Sequence, residues 1–117
     1  MTEDLATLVD SWLTFSQVAD ELGVSSTKVR QLTKERQLAA VRRPELREPA
    51  VPADFLVDGV VVKGLSGTLT LLADHGFSPE ESIEWLYTPD DTLPGRPIDA
   101  LREDRGTEVR RRAQVIT

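Results

Sequence analysis

The sequence predicts a mainly α-helical chain that carries one small β-hairpin, with a further helical segment behind it. Three observations lead there. Apolar residues recur at helical spacing along most of the 117 residues. The exception runs from Leu38 to about Lys63, where Pro44, Pro49 and Pro52 forbid helix and the periodicity shortens. Aromatic residues make up only 5% against 39% apolar overall, which suits a core of Leu, Val and Ala better than an aromatic-rich sandwich. A chain of this length forms one domain or a compact module with an appendage, and the change of pattern divides it into residues 1–63 and 64–117.

The elements follow in order. Residues 3–12 read as a short helix, with Leu5, Leu8, Val9 and Trp12 at helical spacing and acids in its first turn. Thr14 is placed to cap the next helix, and Gln17 three residues on completes a capping box. Phe15, Val18, Ala19 and Leu22 form its apolar stripe, and Gly23 supplies the left-handed residue that ends it. Ser25 caps a third helix with Val29 and Leu32 on the inner side. LAAVRR (38–43) reads as a strand, EPAVPADFLV contains a second, and Asp58-Gly59 marks a turn before the extended VVVKG. A helix from Leu65 to His75 stops at Gly76. Ser78-Pro79-Glu80-Glu81 starts another, residues 88–96 form a loop, Pro97 opens a short helix, and a last helix runs from about Thr107 to Val115.

Residues 15–34 satisfy the requirements of a helix-turn-helix. Ala19 is small where two helices must cross, Gly23 follows four residues later, and Val18, Leu22, Val24, Val29 and Leu32 flank the crossing. An ordinary helical hairpin uses the same logic, so the outward face of the second helix is what discriminates. Ser25, Ser26, Thr27, Lys28, Arg30, Gln31 and Lys34 are polar, and no acid interrupts them before Glu35. Such a face suits duplex DNA: Arg30 and Gln31 are the expected base readers, because Arg pairs with guanine and Gln with adenine. Ser25, Ser26 and Thr27 would bond phosphates beside the helix N-terminus, with Lys28, Lys34 and Arg36 as backbone anchors. Arg42, Arg43 and Arg47 then form a basic wing on the following hairpin, whose alternative role is an edge protected by charge.

Charge is distributed to match. The net charge of −6 comprises −5 over residues 1–24, +5 over 25–47, −9 over 48–104 and +3 over 105–117. A phosphate backbone responds to the field within about 8–10 Å at physiological salt, so one basic element can dock while the far side stays acidic. The run Arg110-Arg111-Arg112 cannot share one helix face and reads first as cations at a helix C-terminus. The chain has no cysteine, and its acidic first residues do not resemble a secretory signal, so a cytoplasmic location is expected. No apolar run suits a membrane span. His75, the single histidine, sits at a helix end, and no phosphate-binding glycine loop or metal-ligand spacing is visible. Neither an enzyme nor a cofactor is expected.

With these residues in view, VADELGVSSTKVRQL, LAAVRR, VPADFLVDGVVVKGLSGTLTLL, EWLYTPDD and RPIDALREDRGTEVRRRAQ together resemble a family of actinobacterial winged helix-turn-helix DNA-binding proteins, and more broadly the MerR- and excisionase-like winged folds. The resemblance implies a DNA-binding first half and a helical second half. The leading functional reading is a sequence-specific DNA-binding transcriptional regulator that uses residues 25–36 and 42–47. LPGRPIDALR is also similar to a motif in the C-terminal domains of some antitoxins. The alternative reading is therefore a protein-interaction module, such as the antitoxin of a toxin–antitoxin pair, gripping a protein partner through residues 65–117. No long heptad offers a dimer helix, so a monomer or weak dimer is expected.

Overall fold

A computed structural model describes residues 5–43, 45–90 and 95–115. Residues 3 and 4 of the expected first helix, Pro44, and positions 91–94 of the expected loop lie outside them. The first helix, α1 (Leu5–Leu8), ends well before Trp12, which belongs to strand β1 (Trp12–Thr14). The helical spacing misled because β1 is made by a distant partner. It pairs antiparallel with β2 (Ala50–Pro52), Thr14 opposite Ala50 and Trp12 opposite Pro52, and Ala53 N–H donates to Ser11 O at 2.9 Å.

Helix α2 (Phe15–Leu22) starts in a reciprocal capping box. Gln17 N–H donates to Thr14 Oγ1 at 3.2 Å, and Thr14 N–H donates to Gln17 Oε1 at 2.8 Å. It ends at Gly23, whose φ of 69° lets the chain turn directly into α3 (Ser26–Lys34). The two helices pack on each other through buried Val18, Ala19, Val29 and Leu32.

The strand expected from LAAVRR is reduced to one bridge. Val41 and Ala50 exchange hydrogen bonds at 3.0 and 2.8 Å, on the edge of β2 opposite β1. The next hydrogen-bonded rung inward would pair Ala39 with Pro52, which has no N–H to give, so the ladder stops there. Leu38, Ala39 and Val41 are buried nevertheless. The order helix, turn, helix, looped wing and returning strand, with β1 ahead of it, makes this half a winged helix-turn-helix.

A second hairpin, β3 (Leu56–Val57) and β4 (Val60–Val61), turns at Asp58-Gly59 with φ of 49° and 80°, as a two-residue primed turn requires. A side chain at position 59 would also come within 3.3 Å of the Glu21 carbonyl oxygen, so glycine lets this hairpin lie on the end of α2.

The remaining helices are α4 (Leu65–Asp74), α5 (Pro79–Tyr87), α6 (Pro97–Arg102) and α7 (Gly106–Gln114). α5 begins with the expected cap, Ser78 and Glu81 bonding each other's backbone N–H. α4 packs chiefly on α7, and α5 reaches back to α1. One apolar core runs through both halves, from Val9, Val18 and Val29 through Phe55 and Leu65 to Ile83, Leu86, Ile98 and Val109.

Candidate nucleic-acid interface

Local sequence fixes α3. The Ser25 hydroxyl accepts from Lys28 N–H at 3.1 Å, satisfying one of the free donors of the first turn. Val29 and Leu32 anchor the helix in the core, and the chain leaves it through Arg36 in a left-handed conformation, φ 61°. All eight candidate residues in this region, Ser25, Ser26, Thr27, Lys28, Arg30, Gln31, Lys34 and Arg36, are solvent-exposed. Thr27, Arg30, Gln31 and Lys34 follow the spacing i, i+3, i+4, i+7 and so share the outermost line of the helix, with Lys28 beside Gln31. The acidic C-terminal half does not cover this ridge.

Two partners on this helix escaped the sequence. Gln31 Nε2 donates to Glu35 Oε2 at 2.8 Å, and Gln37 Nε2 donates to Glu35 Oε1 at 3.1 Å. Glu35 thus takes one of the two amide N–H donors of Gln31, and it places a carboxylate at the end of the cationic ridge. Arg36 reaches Asp74 of α4 at 4.0 Å, an exposed pair of small energetic weight.

The three wing arginines differ in setting. Arg42 and Arg47 are exposed. Arg43 is drawn inward, its guanidinium 5.1 Å from the centre of the Trp12 ring and its Nε 3.5 Å from Glu45. Glu48 closes the wing onto α2, accepting from Ser16 N–H at 3.2 Å and from Ser16 Oγ at 3.1 Å. The Ser16 backbone bond, then the hydroxyl, hold its carboxyl below the ordinary value of 4.5. Neither Trp12 nor Glu48 could be read as wing anchors, because each acts across more than thirty residues.

In the C-terminal half the cations are largely engaged. Arg105 pairs with Glu103 at 2.9 Å and Glu108 at 3.5 Å, and Arg112 with Asp90 at 3.5 Å. Arg102 Nη1 donates to the carbonyl oxygens of Asp54 and Leu56, both at 2.8 Å, joining α6 to the first half. Tyr87 Oη donates to Asp54 Oδ2 at 3.1 Å, and burial above all, then the Asp54 charge, push its ionisation up so that the phenol stays a donor. Arg96 lies 5.0 Å from the centre of the Tyr87 ring and grips Asp99 with two bonds of 2.8 Å. His75 caps the end of α4, exposed. Among the described residues no group of three metal-ligating side chains occurs, and no helix is long and apolar enough to cross a membrane.

Comparison with known proteins bears on this arrangement. Residues 2–56 match the family described as "DNA-binding protein Rv2175c, wHTH domain", and residues 62–117 match the "Rv2175c C-terminal domain of unknown function". DNA-binding protein Rv2175c of Mycobacterium tuberculosis is 40% identical over an alignment of 113 positions that covers 86% of this chain and 76% of that protein. The chain belongs to the Rv2175c family. The NMR structure of Rv2175c superposes with a TM-score of 0.80 at 38% identity, covering 89% of this chain and 79% of that one. The winged helix-turn-helix architecture expected from the sequence is thus the family's own, and the actinobacterial resemblance holds.

Proposed function

We propose that this Rv2175c-family protein binds duplex DNA as a transcriptional regulator. In this reading α3 enters the major groove and the loop 42–49 lies along the neighbouring backbone or minor groove. The observation that carries the reading is the uncovered outer line of α3, which offers Thr27, Arg30, Gln31 and Lys34 with no acid until Glu35. In a docked helix-turn-helix, residues near the start of the second helix reach base edges. Arg30 and Gln31 therefore read bases, Ser25, Ser26 and Thr27 bond phosphates, and Lys28, Lys34, Arg36, Arg42 and Arg47 hold the backbone. Arg43 acts mainly by holding the wing against Trp12. On this reading the protein is not an enzyme and works in the cytoplasm, where the chromosome lies, as a monomer or weak dimer.

Titration of a duplex with the protein over a range of salt tests this. Five exposed cations on phosphates, Lys28, Lys34, Arg36, Arg42 and Arg47, give a log–log slope of about −4 to −5. A slope near zero, or no binding to genomic or random duplex at low salt, would sink the proposal.

A further inference from the structure

A groove of about 620 Å³ lies between the C-terminal end of α3 and the corner where α4 turns into α5. That volume falls within the range of small-molecule sites. Its floor is apolar, built from residues of both halves that include Leu38, Leu69, Ala73 and Phe77. Its polar rim is one-signed. Of the described residues that line it, Arg30, Lys34 and Arg36 are cationic and none is acidic, on a chain whose net charge is −6. Asp74 approaches from α4 and, among the described residues, pairs with Arg36 at 4.0 Å.

DNA docking explains the cations but not the floor. A phosphate backbone has no use for a concave apolar surface, and an apolar ligand has no use for three cations. A molecule with both an apolar body and an anionic group satisfies the two together. Arg30 and Lys34 also belong to the outer face of α3, so a ligand that engages them competes with DNA for the same side chains.

We propose that this groove binds a small amphipathic anion, its apolar body on Leu69, Ala73 and Phe77 and its carboxylate, sulfonate or phosphate at Arg30, Lys34 and Arg36, and that its binding antagonises DNA. The antagonism rests on the DNA-binding reading given above; the site itself does not.

The test uses the full chain and two fluorescent probes with the same aromatic body. Anilinonaphthalene sulfonate carries the anion, and N-phenylnaphthylamine lacks it. The sulfonate binds one per chain, about tenfold or more tighter than the neutral probe, since charge-assisted contacts supply the difference. Lys34→Gln with Arg36→Gln weakens the sulfonate by about tenfold and leaves the neutral probe unchanged. Ala73→Trp, on the half-buried side of α4 and away from the DNA-facing ridge, fills the floor and removes both probes while DNA affinity persists. Circular dichroism verifies that each variant is folded. Equal affinity for the two probes, several sulfonates per chain, or sulfonate binding unchanged by either variant overturns the site. With the sulfonate saturating, affinity for a random duplex falls about fivefold or more. Unchanged DNA affinity overturns the antagonism. Failure to bind DNA even without the probe defeats the DNA reading and the antagonism together, while the two-probe titration still decides the groove.

Discussion

Arg30 and Gln31 stand side by side on α3 but in different states of readiness. Arg30 is exposed and makes no ion pair among the described residues, whereas Gln31 spends one of its two amide N–H groups on Glu35, leaving the other and its carbonyl for a two-bonded contact with adenine. Arg30→Ala combined with Gln31→Ala should lower affinity for the specific site by about 1–3 kcal/mol per lost two-bonded contact, with a much smaller loss on random DNA. Binding assays on matched duplexes decide this, and an equal loss on both would remove base reading from these residues. Glu35 makes a separate prediction. It sits at the helix C-terminus, where the peptide dipoles disfavour a negative charge, and beside the expected phosphates. Glu35→Gln should therefore raise affinity for random duplex by about 0.5–1 kcal/mol without lowering the melting temperature. Weaker binding would mean that Glu35 is needed to orient Gln31.

The elements that the sequence announces are those whose cause is local. Thr14 with Gln17, Ser25, Ser78 with Glu81, and Asp58-Gly59 each declare a cap or turn within four residues, and the structure has all of them. The misread elements, β1 and the strand at 38–43, depend on Ala50, which stands between Thr14 and Val41 and is remote from both. The candidate site divides the same way. The exposed face of α3 was legible from its periodicity, but the inward turn of Arg43 onto Trp12 and the tie from Glu48 to Ser16 required the folded wing. Two predictions belong to this element. Arg42→Ala with Arg47→Ala should flatten the salt dependence of DNA binding by about 2 units, and an unchanged slope would exclude the wing from the interface. The second concerns acid. Because the folded state holds the Glu48 carboxyl below 4.5, the ionised form favours folding. The stability this gives is present above the unfolded value and is lost as pH falls through the lowered folded one. Wild type should therefore exceed Glu48→Ala in denaturant midpoint at neutral pH, with the gap closing as pH drops below 4.5. A gap that stays constant would show that the bonds to Ser16 act independently of charge.

At the scale of the molecule, two matched family regions share one interior. The core passes through position 63 without a seam, and α1 of the first half lies on α5 of the second. Arg102 binds two carbonyl oxygens of the 54–56 segment, and Tyr87 binds the Asp54 side chain. Separating the halves would expose Phe55 and Leu65, each completely buried, and would exchange those hydrogen bonds for bonds to water at a net loss of about 0.5–1.5 kcal/mol each. The halves should therefore unfold together. The chain carries its own reporters, since its two tryptophans, Trp12 and Trp85, fall one in each half, on β1 and α5. Under excitation selective for tryptophan, Trp12→Phe leaves only the second half reporting, and Trp85→Phe only the first. Trp12 carries the stacking of Arg43, so Trp12→Phe should lower the midpoint somewhat, but circular dichroism on the same sample gives the matching reference. In each variant the fluorescence and circular dichroism transitions should coincide in urea, as a two-state unit demands. A fluorescence midpoint that departs from the circular dichroism midpoint in either variant would make the C-terminal helices an independent domain, and the interior they share with the winged half a contact between two folded bodies.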